Sequence, residues 1–302
     1  MTFRGLTQLM GFFLVLGALQ DARALPVASE APERVERVVL IGLDGLSREG
    51  LAKAPTPYLD ALRLKGVFLG QSQGVMPSKS APNWASILTG VGPSVHGIYS
   101  NQWWWFRWRR YLRYPTIFTA LKRSTLGNAR TAVVHEWKHF GKLWDADDVD
   151  IARWARSPEA TLEEFEKLLG EPPRLLVMHL LGIDNAGHDK GWQSSKYLEA
   201  VTRVDAQVGA LVALLDAKGL RESTLIAIAS DHGGVGTTHG GDSSTERLTP
   251  VIFNGPTLKQ GLRLKEITRN VDLYATLAHV LNVTTLGPRD GRVLREIFKS
   301  TD

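Results

Sequence analysis

The chain has 302 residues, 36 of them basic and 31 acidic, with no cysteine and a formal net charge of +5. Hydrophobic residues make up 43% and charged residues 22%, which fits a globular protein and excludes a disordered, collagen-like or coiled-coil chain. Without cysteine there is no disulfide scaffold, thiolate metal site or thiol nucleophile, so any metal must be held by imidazole, carboxylate or hydroxyl groups. The charge is too slight to argue for a stable nucleic-acid partner, and it suits a small anionic substrate.

The chain opens with Arg4, an apolar stretch from Leu6 to Leu19, and the small-x-small run Ala22-Arg23-Ala24. That order reads as a signal peptide over residues 1–24, cleaved after Ala24. An uncleaved anchor is the alternative, but the stretch is shorter than the about 20 residues a spanning helix needs. No later stretch is long and apolar enough to span, so the expectation is a secreted or periplasmic protein with no transmembrane segment after cleavage. Residues 25–36 read as a linker, and residues 37–302 as one main domain.

Continuous apolar runs, the pattern of strands buried on both faces, begin at Val38–Gly42 and recur at Thr131–Val134, Leu175–Leu181, Thr224–Ala229 and Val251–Phe253. Helical patterns lie between and after them: Thr56–Leu64 with Pro57 in the first turn, Pro82–Leu88 stopped by Gly90, Thr161–Leu169, Tyr197–Leu215, Val271–Leu281 and Arg292–Phe298. The alternation predicts an α/β fold, a mostly parallel central sheet flanked by helices. Residues 101–144 interrupt the rhythm with the run NQWWWFRWRRYLRY, and are expected to form a small aromatic-basic cap. Trp103, Trp104, Trp105 and Arg107 are its candidate substrate-binding residues, since indole faces can stack on a base or hold a cation and arginine can meet phosphate. The same tryptophans could instead pack the cap onto the main domain.

Three of the apolar strands run into an aspartate, at Asp44, Asp184 and Asp231. Ligands of open parallel sheets bind beyond the carboxyl ends of the strands, so these carboxylates are expected to converge there. Unpaired, they would raise one another's pKa; bound cations remove that repulsion. His188 follows Asp184 by four residues, His232 adjoins Asp231, and His239 comes shortly after. Neutral imidazole with carboxylate is a normal zinc donor set. His96, His135, His139, His179 and His279 lack such neighbours and read as structural. Ser80 lies beside the start of the Pro82 helix, where backbone N–H groups favour an anion. A hydroxyl there could be a nucleophile, although Ser78 or Ser80 could equally be a helix cap.

Taken together, these segments resemble the alkaline phosphatase superfamily, and within it the type I phosphodiesterase/nucleotide pyrophosphatase family. The resemblance rests on Val39–Gly45, Lys79–Asn83 with Leu88–Gly90 and His96–Ile98, Asp184–His188, Asp231–Gly234, His239-Gly240 and Asn270–Leu277, in that order. It implies two divalent metal ions, most simply Zn2+. One would be held by Asp44, Ser80, Asp231 and His232, the other by Asp184, His188 and His239. It implies that Ser80 is the nucleophile of a phosphoseryl intermediate and that Asn83 donates to a phosphoryl oxygen. The implied substrate is a phosphodiester or nucleotide pyrophosphate. Ser80 departs from the threonine usual in this branch, which keeps a phosphomonoesterase open, and a non-catalytic metal- or phosphate-binding protein is a further alternative. Oligomeric state is not readable from the sequence.

Overall fold

A computed structural model describes residues 34–102, 114–124 and 129–300. The leader over residues 1–24, most of the linker, and Trp103, Trp104, Trp105 and Arg107 lie outside the described residues.

The strands are β1 (Arg37–Leu43), β2 (Val67–Gln73), β3 (Thr131–His135), β4 (Ile151–Trp154), β5 (Leu175–Leu180), β6 (Thr224–Ala229), β7 (Leu248–Asn254), β8 (Leu262–Leu264) and β9 (Thr268–Arg269). They form one nine-stranded sheet in the order β4-β3-β5-β1-β6-β7-β2-β8, with β9 also beside β2. Among the described strands, only β7 runs against its neighbours, pairing antiparallel with both β6 and β2. All five runs predicted as strands are strands, and the sheet is mostly parallel, as expected.

Helices cover both faces: α1 (Arg48–Lys53), α2 (Pro57–Leu64), α3 (Ser80–Thr89), α4 (Pro93–His96), α5 (Ile117–Lys122), α6 (Pro158–Leu168), α7 (Gly182–Lys190), α8 (Ser195–Ala217), α9 (Ser244–Arg247) and α10 (Val271–Leu281). The period of two along each strand divides the core. Val38 and Leu40 of β1, Leu175 and Val177 of β5, and Leu225 and Ala227 of β6 pack on one side with α3, α5 and α10. Val39, Ile41, Leu176, Met178, Ile226 and Ile228 pack on the other with α1, α2, α6 and α8.

One expectation is corrected: Arg292–Phe298 is not a helix but a single 3-10 turn at Arg295–Ile297. Of residues 101–144, those described place five buried residues on α5 and put β3 inside the main sheet, while the aromatic-basic run at 103–113 on which the cap reading rests lies outside the described residues.

Trp84 of α3 is fully buried and reaches the sheet only because β1 has no side chain at Gly42. A Cβ on Gly42 would stand 2.4 Å from the edge of that indole. Overpacking of this kind costs about 1–3 kcal/mol. Gly42→Ala is therefore expected to lower the urea midpoint of unfolding correspondingly; a midpoint unchanged from the wild type would show that the indole has room to move.

Candidate active site

Strands β5, β1 and β6 are neighbours in the sheet, and their carboxyl ends deliver the three aspartates to one place. Asp44 follows β1 directly. Asp231 lies two residues past β6. Asp184 does not end a strand as expected: β5 stops at Leu180, and Asp184 falls in the first turn of α7. That puts Asp184 and His188 one helical turn apart, on one face of α7, with their side chains 3.6 Å apart. Gly45 makes the turn after β1 at φ +76°, and a Cβ there would meet the Asp184 backbone at 2.8 Å. Its N–H donates to Asp231 Oδ1 at 3.1 Å, tying the β1 and β6 ends together.

Ser80 is the first residue of α3, two residues earlier than the pattern suggested. Neither serine caps that helix. Its N-cap is Lys79, which makes no side-chain cap bond, and the Ser78 hydroxyl donates to the Gly241 carbonyl. Ser80 Oγ lies 3.2 Å from His232 Nε2 and 3.4 Å from Asn101 Nδ2. The helix start is less open to an anion than expected, because Ala81 N–H donates to Asn101 Oδ1 at 2.9 Å and Pro82 has no N–H.

The three histidines share a hydrogen-bonding pattern. His188 Nδ1 faces Thr237 O at 3.0 Å, His232 Nδ1 faces Gly233 O at 2.9 Å, and His239 Nδ1 faces Ser78 O at 2.9 Å. A carbonyl only accepts, so each Nδ1 carries the proton and each Nε2 presents a lone pair to the cluster. Apart from the Ser80 hydroxyl beside His232 Nε2, those lone pairs meet other acceptors. His188 Nε2 and His239 Nε2 are 3.1 Å apart. His232 Nε2 lies 3.2 Å from Asp231 Oδ2, 3.5 Å from Asp44 Oδ1 and 4.0 Å from Asp184 Oδ1. Each of these three carboxylate oxygens is buried, with no hydrogen-bond donor among the described residues. Acceptors facing acceptors in a dry pocket are unfavourable unless metal ions, or protons in their absence, lie among them. Among the described residues, two groups of donors can hold a metal ion: Asp44, Asp231 and His232, and Asp184, His232 and His239. Ser80 Oγ borders both through His232, and His188 borders the second through Asp184 and His239. The residues present thus fit divalent metal ions, and the imidazoles are pinned from behind as metal ligands usually are.

Charge in the metal-free pocket is uneven. Burial acts to raise the pKa of Asp44, but hydrogen bonds led by that from His179 outweigh it and hold the carboxyl down to about 2. Burial, with the Asp44 charge nearby, pushes Asp184 up to about 9, and burial with the Asp44 and Asp184 charges raises Asp231 well above the carboxylate range. Burial also lowers His232 to about 3 and lowers His239, which keeps both neutral. In the metal-free fold Asp184 keeps its proton from its ordinary 3.8 up to about 9, where the unfolded chain releases it. Below 6.5 the unfolded chain instead takes up protons on His232 and His239, but from 6.5 to about 9 the native state binds more protons than the unfolded state, so stability falls as pH rises through that upper window. The chelated protein is expected to lose thermal midpoint as pH rises across this range, and the zinc-loaded protein much less. Parallel pH profiles for the two forms would contradict this.

Asn83 has a different employment from the one expected. It is fully buried, its Oδ1 accepts from Val75 N–H at 2.8 Å, and its Nδ2 faces the carbonyls of Val75, Pro77 and Lys79. Both amide hydrogens are occupied in shaping the loop that leads to Ser80. Sequence reasoning missed Asn101, a lone asparagine at the edge of the tryptophan run with no pattern around it, and His179, assigned to packing. His179 Nε2 is 2.8 Å from Asp44 Oδ2. His96 and His135 are the structural histidines expected: both are buried, with partners at Ser86 and the Trp137 carbonyl.

Fold and site together define an α/β protein of the alkaline phosphatase type. A murine ectonucleotide pyrophosphatase/phosphodiesterase 5, solved as an inactive variant in complex with AMP, shares the fold at a TM-score of 0.72 and 17% identity, covering 87% of this chain and 100% of that one. The type I phosphodiesterase/nucleotide pyrophosphatase profile matches residues 38–249, and the chain belongs to that family. Ectonucleotide pyrophosphatase/phosphodiesterase family member 1 of Rattus norvegicus is 27% identical over 231 residues, 70% of this chain and 25% of the relative. Family member 5 of Homo sapiens is 24% identical over 238 residues, 73% of this chain and 50% of the relative. The chain thus spans a quarter to a half of the length of these relatives.

Proposed function

We propose that the protein is an exported, zinc-dependent hydrolase of phosphodiester or nucleotide pyrophosphate bonds that works through a phosphoseryl intermediate on Ser80. The observation that carries this reading is the convergence of Ser80 Oγ with three donor-free carboxylate oxygens and three imidazole lone pairs. Asp44, Asp231 and His232 would hold one metal next to Ser80; Asp184, His188 and His239 would hold the second. When bound, the metals supply Lewis-acid charge that favours the serine alkoxide and neutralises the phosphoryl oxygens.

The chain's own groups do the rest. Ser80, fixed at the start of α3, gives up its hydroxyl proton and attacks phosphorus; the bond to the leaving oxygen opposite to it breaks, and the alcohol or phosphate released takes up a proton from water. Water then cleaves the Ser80–phosphate bond. Asn101 Nδ2, beside Ser80 Oγ, donates to a phosphoryl oxygen, a role that passes to it because the Asn83 amide is fully engaged. A nucleotide is the favoured substrate class, supported by the AMP complex of the murine neighbour. Export is supported by the signal-peptide pattern of residues 1–24.

The test is kcat/KM of the zinc-loaded protein on a nitrophenyl phosphodiester and the matching monoester. The expected result is a diester preference of about tenfold or more, or 1.4 kcal/mol in transition-state stabilisation. A monoester preference would replace this reading with a phosphomonoesterase on the same site.

A further inference from the structure

We propose that His179 is a positioning residue that fixes which oxygen of Asp44 is offered to a cation. The β1–β5 register sets His179 opposite Gly42. By the period of two, Gly42, Asp44 and His179 then share the sheet face on which Trp84 packs. Two N–H donors converge on one atom there: His179 Nε2 at 2.8 Å and Trp84 Nε1 at 3.1 Å, both to Asp44 Oδ2. The other oxygen, Oδ1, has no donor and lies 3.5 Å from His232 Nε2. The carboxylate is thus held by one oxygen and presents the other.

The imidazole that does the holding is itself immobilised. It is completely buried, 4.4 Å from the Phe140 ring centroid and edge-on to Trp84 at 5.3 Å. Its Nδ1 has no hydrogen-bond partner among the described residues. The ring proton therefore sits on Nε2, the tautomer opposite to that of His188, His232 and His239. No pattern in the sequence marks this role; the residue becomes visible only when two strands are set in register.

The inference rests on the reading of Asp44 as a metal ligand, and two measurements on the full chain separate the two. The first is the zinc affinity of the wild type, His179→Gln and His179→Phe, read by competition with a chromophoric chelator. Glutamine can keep a donor near the Nε2 position and phenylalanine cannot. Loss of an outer partner of this kind costs roughly 10–100-fold in metal affinity. The expected result is that loss in His179→Phe and its substantial recovery in His179→Gln. Wild-type affinity in a folded His179→Phe would overturn the proposal, whereas a wild type that binds no zinc would overturn the metal reading beneath it. The second measurement needs no variant: long-range proton–nitrogen NMR of the histidine rings in the metal-free wild type. It is expected to show His179 as the Nε2–H tautomer. An Nδ1–H tautomer would overturn the proposal even if His179→Phe fails to fold.

Discussion

Ser80→Ala is expected to remove turnover while leaving the fold and much of the bound metal in place. Removing a nucleophile from an enzyme that passes through a covalent intermediate typically costs on the order of 10³- to 10⁶-fold in kcat. The fold should not notice: the Ser80 hydroxyl caps no helix, and its near partners are His232 and Asn101 rather than backbone groups. The metal should be largely retained, because Asp44, Asp231 and His232 remain as donors. Steady-state kinetics and zinc content of the purified variant check both halves. A variant with wild-type kcat would remove Ser80 from the chemistry.

Removal of metal has the other large effect. The chelated protein should fall to the background rate and recover on addition of zinc. Loss should also follow the geometry. His232 is fully buried within the donor group next to Ser80, whereas the His188 side chain is 45% exposed at the edge of the other. His232→Ala is expected to weaken zinc binding at the first site by more than about 100-fold, beyond the range typical of outer-sphere partners. His188→Ala should weaken the second site by less. Equal losses in the two variants would contradict the difference in burial between the two ligands. A chelated protein that kept its rate would contradict the metal reading as a whole.

Much of this site could be read from the chain because its residues follow strands of unmistakable pattern. Arg37–Leu43, Leu175–Leu180 and Thr224–Ala229 are buried on both faces, so they carry continuous apolar runs, and each leads to an aspartate within four residues. Elements with mixed exposure were hidden. β2 (Val67–Gln73) carries Gly70 and a polar second half, and β4 (Ile151–Trp154) is exposed at all but its first residue. α7 is rich in glycine and polar residues and resembles a loop; Trp192 packs against its Gly187 face and helps to hold it in place. The roles of Asn83, Asn101 and His179 were unreadable for a different reason. Each depends on contacts that spacing does not show: the Val75, Pro77 and Lys79 carbonyls for Asn83, Ser80 for Asn101, and Asp44 for His179. Residue type alone favours the asparagine inside the motif over the one outside it, and only the hydrogen bonds reverse that choice.

The two-step reading makes one demand on the reaction that no single-step mechanism shares. Two in-line displacements at phosphorus, first by Ser80 and then by water, restore the original configuration. Hydrolysis of a phosphodiester made chiral at phosphorus with sulfur and oxygen isotopes should therefore proceed with retention. Inversion would mean direct attack by water and would contradict the Ser80 intermediate.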